Sequence, residues 1–192
     1  MDALSERLIN QTIALGGSNE ANRDFSTKEI AKKAGVSEPT LFSRFSNKNS
    51  LIEVALDRCT THFTAFGTDL LEQGIEGREW FGKMIDHQIE KKEETFFLLN
   101  YAHSLDRGSE PKEDGSSFRS VVTEAGRKLL RRYDFKSDEE IFVYFSGIAR
   151  MILYTTAYIV NGLWPNTEEI RDEVYTVSMG GLNSFLEKKV VS

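Results

Sequence analysis

Phe25-Ser-Thr-Lys-Glu-Ile-Ala-Lys-Lys-Ala-Gly-Val-Ser-Glu-Pro-Thr-Leu-Phe-Ser-Arg-Phe-Ser-Asn-Lys48 decides the fold. Ser26-Thr27-Lys28-Glu29 has the form of a capping box and opens a short helix whose apolar side is Ile30, Ala31 and Ala34. Gly35 stops it. Ser37 caps a second short helix, with Pro39 in the first turn, where a missing N–H costs nothing. Ala31 is small where the two helices cross, and Val36 and Leu41 lock one on the other. The spacing predicts a helix-turn-helix, whose second helix enters a DNA major groove.

On that reading Ser37, Glu38, Pro39 and Thr40 face base edges and phosphates, with Phe42 and Ser43 beyond them. Lys28, Lys32, Lys33, Arg44 and Lys48 frame the helix with positive charge. Thr27 and the N–H groups that open the first helix hold a phosphate.

Outward from this stretch, helical periodicity continues on both sides, and no alternating strand pattern bounded by hairpin turns occurs. Leu4, Leu8 and Leu15 mark a first helix that ends at a Gly16-Gly17 stop. Asn47 or Ser46 caps a fourth helix, from Lys48 to about Phe66, with apolar residues on two sides. Further helices are expected over 76–92, 93–104 and 118–133, with a loop over 105–117. Two long helices follow, one from Ser137 or Asp138 to about Asn161 and one opened by Asn166 with Glu169. The fold class is therefore all-α, with about nine helices. A three-helix DNA-binding domain spans 1–50, and a helical ligand-binding and dimerisation domain spans 51–192.

The chain has 192 residues, 40% hydrophobic, 28% charged and 11% aromatic, enough to bury a core. A net charge of −6 excludes a protein that coats nucleic acid by bulk positive charge but allows a local patch. Residues 1–50 hold 7 basic and 6 acidic side chains, whereas 51–192 hold 17 and 24. The single Cys59 excludes an internal disulfide and Cys-rich zinc sites. The N-terminus does not read as a secretory signal. The apolar stretch 141–163 is interrupted by Arg150 and several polar residues, so it reads as a soluble helix, and a cytoplasmic protein is expected.

The 25–48 stretch resembles the DNA-binding head of the TetR (tetracycline repressor) family of bacterial transcription regulators. The pattern is carried by Thr27, Ile30-Ala31, Ala34-Gly35-Val36-Ser37, Thr40-Leu41-Phe42, Phe45 and Lys48. It departs from the family at Phe42, where tyrosine is usual and its hydroxyl commonly holds a phosphate; Ser43 or Arg44 would then supply that bond. Arg44 replaces a frequent histidine.

The resemblance implies a homodimer on a double-stranded DNA operator, with half-sites about 34–36 Å apart. It also implies a small-molecule effector that shifts the spacing of the two heads, with the fourth helix as lever. The expected interface includes Ile148, Ile152, Val174, Val177, Gly181 and Phe185. Candidate pocket residues are Phe63, Trp80, Met84, His87, Phe96, Phe97, Tyr101, Phe118, Tyr154 and Tyr158, each of which would serve equally as core. Arg150, a lone charge in an apolar helix, would bind an anionic ligand or a carboxylate of the protein.

No cofactor or metal is expected, because His87 and Glu90 lack a third ligand at suitable spacing. There is no glycine-rich phosphate loop, nucleophile elbow or spaced Ser/His/Asp set, so an enzyme is not expected. The leading reading is a repressor released by a small ligand. The alternative is a DNA-binding protein of the same fold whose C-terminal domain meets a protein partner.

Overall fold

A computed structural model describes residues 2–18, 24–105, 118–131 and 133–190; the side chains of 103–105, 118 and 182–190 are outside it. The loop expected over 105–117 therefore falls almost wholly outside the described residues. Among the described residues there are nine helices and no strand. They are α1 (Ala3–Gly16), α2 (Thr27–Lys33), α3 (Glu38–Phe42), α4 (Lys48–Glu72), α5 (Gly77–Glu90), α6 (Lys92–Leu105), α7 (Phe118–Leu129), α8 (Asp138–Val160) and α9 (Glu168–Val190).

The helices group into two compact units. The first takes Met1–Thr60 with Lys91–Ser109, and the second takes Thr61–Glu90 with Glu110–Ser192. The boundary falls inside α4, between Thr60 and Thr61.

In the first unit, α1 lays Leu8, Ile9, Ile13 and Leu15 inward. Its end lies directly on α6. A Cβ at Gly16 would stand 2.7 Å from the Phe97 ring, and one at Gly17 would fall inside the Glu93 carbonyl group. The Asn100 side-chain amide donates to the Gly16 carbonyl at 2.9 Å. Gly17 has φ −93°, outside the left-handed region. The Gly16-Gly17 pair thus serves close approach of two helices, where the sequence suggested only a stop. Phe25 is buried edge-on to Tyr101, and Phe97 packs beside Tyr101.

In the second unit, α8 packs against α5, α7 and α9. Phe145, Ile148, Ile152 and Leu153 form its buried side. Arg171 of α9 grips Asp86 of α5 with two bonds, at 2.6 and 3.0 Å. Arg78 pairs with Asp172 at 3.1 Å and lies over the Tyr175 ring. Arg127, late in α7, pairs with Asp138 and Glu124, and Arg131, just beyond the helix, pairs with Glu76. By length and composition α8 is apolar enough to cross a membrane, but it is a packed helix that carries Arg150.

Three boundaries differ from the sequence reading. α4 continues past Phe66 to Glu72, and Gly67 within it lets the Trp80 indole lie against the helix; a Cβ there would stand 3.0 Å from Trp80 Cζ2. The Gly67 carbonyl also accepts from Trp80 Nε1 at 2.8 Å. α7 ends at Leu129, and a turn closed by Tyr133 N–H donating to Leu130 O follows it. α9 is capped by Thr167, whose hydroxyl accepts from Ile170 N–H. Asn166, expected to cap, instead accepts from the Arg171 guanidinium.

Candidate nucleic-acid interface

Local chemistry builds the head as the sequence predicts. The Ser26 hydroxyl accepts from Glu29 N–H, and the Glu29 carboxylate accepts from Ser26 N–H, a reciprocal capping box. Gly35 has φ +69°, a conformation that favours glycine, and the Val36 N–H donates back to Ala31 O at 2.9 Å across the turn. Ser37 caps α3 through Thr40 N–H. Leu41 is fully buried, with Ile30 and Ala31 on α2. Asn47 opens α4, its Oδ1 accepting from Ser50 N–H at 2.8 Å.

This frame leaves Lys28, Lys32, Lys33, Pro39, Ser43 and Arg44 exposed, and Thr27, Glu38, Thr40 and Lys48 half-buried. Phe42 is 46% exposed, an uncovered apolar ring at the end of α3. The Ser37 and Thr40 hydroxyls bond each other at 2.8 Å. Ser43 donates to the Thr40 carbonyl at 2.7 Å, so its proton is already engaged. Arg44 is then the better candidate for the phosphate bond that Phe42 lacks.

Acidic partners of these donors are the feature that sequence reading missed. Lys48 Nζ lies 2.6 Å from Asp24 Oδ1 and 4.5 Å above the Phe25 ring. Arg44 lies 2.9 Å from Asp2. Thr27 Oγ1 donates to Glu38 Oε1 at 2.6 Å. The hydrogen bond and charge of Lys48 hold the Asp24 carboxyl below the usual carboxylate range. Asp2 is likewise lowered, mainly by the Ser5 N–H that it caps. Twenty-four residues separate Asp24 from Lys48, so helical periodicity carries no signal for the pair.

A phosphate that bonds Lys48 meets the negative charge of Asp24 on the same ammonium and competes with it. Asp24→Asn is therefore expected to tighten operator binding about two- to fivefold, the range of an exposed pair. Titration at fixed salt checks this, and unchanged or weaker affinity would count against the competition.

The candidate pocket residues are divided between the two units. Phe96, Phe97 and Tyr101 belong to the first unit, where Phe97 and Tyr101 pack on the end of α1. Phe63, Trp80, Met84 and His87 belong to the second unit, with Met84 fully buried and His87 stacked on Phe66 at 3.9 Å. Tyr154 and Tyr158 are exposed on α8, and the Phe118 side chain lies outside the described residues. Arg150, read as a charge inside an apolar helix, is exposed.

Trp80 does line a small crevice of about 100 Å³ in the second unit, with Phe81, Leu130, Tyr133, Ile148 and Tyr175. A larger groove of about 820 Å³ runs between α4 and α7; Thr61, Thr64, Thr68, Thr123, Arg119 and Glu124 are among its walls, and most of the surface they turn to it is apolar.

Of the expected interface residues, Ile148, Ile152 and Val174 are already buried within the second unit. Gly181 is exposed, Val177 is 68% exposed, and the Phe185 side chain lies outside the described residues. On α8 the exposed large apolar side chains are Val143, Tyr154 and Tyr158, with Arg150 exposed on the same face. Cys59 is buried, and burial pushes its thiol pKa up, which suits an inert core residue.

Residues 22–55 match the family described as bacterial regulatory proteins, tetR family. No curated protein sequence matches the chain. A TetR family transcription regulator from Marinobacter aquaeolei VT8 has a similar structure, with TM-score 0.67 and 16% identity over 91% of this chain and 93% of that one. A protein described as a transcriptional regulator from Streptomyces coelicolor A3(2) gives 0.60 and 17% over 92% and 98%. One described as TetR-family from Mesorhizobium loti MAFF303099 gives 0.52 and 16% over 95% and 96%. At such identities the structural likeness speaks for the fold alone, and the match to the family is confined to the head. Residues 22–55 thus carry a capped, glycine-turned helix pair similar to the DNA-binding head of the tetR family, set in an all-α fold like that of these solved structures.

Proposed function

We propose that the chain is a homodimeric repressor that leaves its operator when the second unit binds a small molecule. In this reading 1–50 read DNA, and 51–192 dimerise and bind the effector in the cytoplasm. The observation that carries the dimer is the exposed face of α8, on which large apolar side chains flank Arg150. Val143 is 55% exposed, Tyr154 53% and Tyr158 40%, with Val177 of α9 at 68%. Large apolar side chains in such a row are covered when a second copy brings the same helices against them. Gly147 and Gly181, both exposed, would let the backbones approach.

The effector would enter the second unit, and α4, which runs unbroken from Lys48 to Glu72, would carry its effect to the head. A coupling of about 1–3 kcal/mol weakens DNA binding 5–150-fold. The α4–α7 groove, walled by threonine and charged side chains that turn mostly apolar surface to it, suits an effector that is apolar in body and carries polar groups. A protein partner on that face is the second reading, since the enclosed crevice beside Trp80 is small.

Selection of bound duplexes from a random DNA library, at a stated salt concentration, tests the proposal. A two-fold-symmetric site is expected, and its duplex then serves to screen ligands by release. An enriched site without two-fold symmetry would argue against the dimer. Tyr154→Glu with Val177→Glu is expected to give monomers in sedimentation; an unchanged dimer would place the interface elsewhere.

A further inference from the structure

We infer that Glu38 reads a base, selecting cytosine in the major groove, and that Thr27 is the positioning residue that aims it. The inference rests on DNA binding through α2 and α3 and deepens it.

Glu38 is the first residue of α3, and its Oε1 accepts from Thr27 Oγ1, the first residue of α2, at 2.6 Å. A carboxylate only accepts, so the hydroxyl must be the donor, and its single proton is already engaged. Thr27 cannot give that proton to a phosphate while it holds Glu38. An acid in the first turn of a helix is favoured by the helix dipole in any rotamer. The bond to Thr27 instead fixes one rotamer and occupies one carboxylate oxygen, leaving the second to meet a ligand.

On a surface that faces phosphates a carboxylate is repelled unless it meets a donor. The major groove offers two such groups, the exocyclic amines of cytosine and adenine. Adenine sets the acceptor N7 beside its amine, and that lone pair opposes a carboxylate. Cytosine presents the amine without an acceptor beside it. Near Glu38, Pro39 has no N–H to offer, and the Thr40 hydroxyl is bonded to Ser37. Glu38 therefore brings the most discriminating chemistry to the start of α3.

The experiment measures affinity at fixed salt for the selected operator and for every single base-pair change in one half-site. The proteins are wild type, Glu38→Gln, Thr27→Val and Thr27→Ser, each checked for native helicity. Wild type is expected to prefer cytosine at one position by about tenfold. Glu38→Gln should move that preference to adenine, whose N6 and N7 match an amide. Thr27→Val should flatten the preference, and Thr27→Ser, which keeps the hydroxyl, should restore it.

An unmoved base profile in Glu38→Gln overturns the base-reading role while DNA binding stands. A Thr27→Val profile identical to wild type overturns the positioning role. Failure of wild type to bind any duplex overturns the DNA-binding reading together with this one.

Discussion

Gly17→Ala is expected to destabilise the first unit by about 3 kcal/mol, the upper part of the range for overpacking. The added methyl would fall inside the Glu93 carbonyl group, at the start of α6, and also 2.8 Å from the Ile13 carbonyl oxygen. Both obstacles are backbone, so no side chain can rotate away. Relief requires α1 and α6 to separate. That would loosen the Asn100 bond to Gly16 and the packing of Phe97 and Tyr101 beneath it. Urea unfolding of the full chain reads the effect as a lower midpoint. Gly82→Ala is the contrast: its Cβ would lie 3.8 Å from the Arg171 guanidinium, in ordinary contact, within α5. That change should be neutral or stabilising by about 0.5–1 kcal/mol, since glycine is a poor helix former. A wild-type midpoint for Gly17→Ala would show that the two helices do not meet so closely.

Trp80→Ala should cost about 3–5 kcal/mol in the second unit, the usual loss for a large buried aromatic. Trp80 is 4% exposed, its indole lies against Gly67, and its Nε1–H donates to the Gly67 carbonyl. Trp80→Phe keeps a ring but leaves that bond unmade, and should lose less. Thermal unfolding followed by circular dichroism separates the two. Equal melting temperatures for wild type and Trp80→Ala would remove the indole from the core.

The head was legible because its signals are local. Ser26 and Glu29 are three residues apart, as are Ser37 and Thr40, and a cap is satisfied within one turn. Gly35 marks a positive φ that few residues adopt, and Leu41 returns to the core one turn after its cap. Nothing in these features needs a distant partner, so Thr27 to Lys48 could be placed on their helices from the sequence.

Residues that act through distant neighbours were not legible. The aromatics at 96, 97 and 101 share a helix with one another but pack against α1, and so fall in the first unit. Helical periodicity gives the face on which a side chain lies; it does not give which helix covers that face. The same limit hid the fate of Ile148, Ile152 and Val174, which are covered within their own unit, while Tyr154 and Tyr158 are not.

The sequence by itself determined the helical class, the helix-turn-helix and its likeness to the family's head, because caps, glycine turns and 3.6-residue periodicity are properties of short segments. Only the tertiary structure decided that Gly16-Gly17 admits α6, that Gly67 receives Trp80, and that Asp24, Asp2 and Glu38 engage the donors of the head. These are meetings of atoms far apart in the chain, fixed by how helices pack.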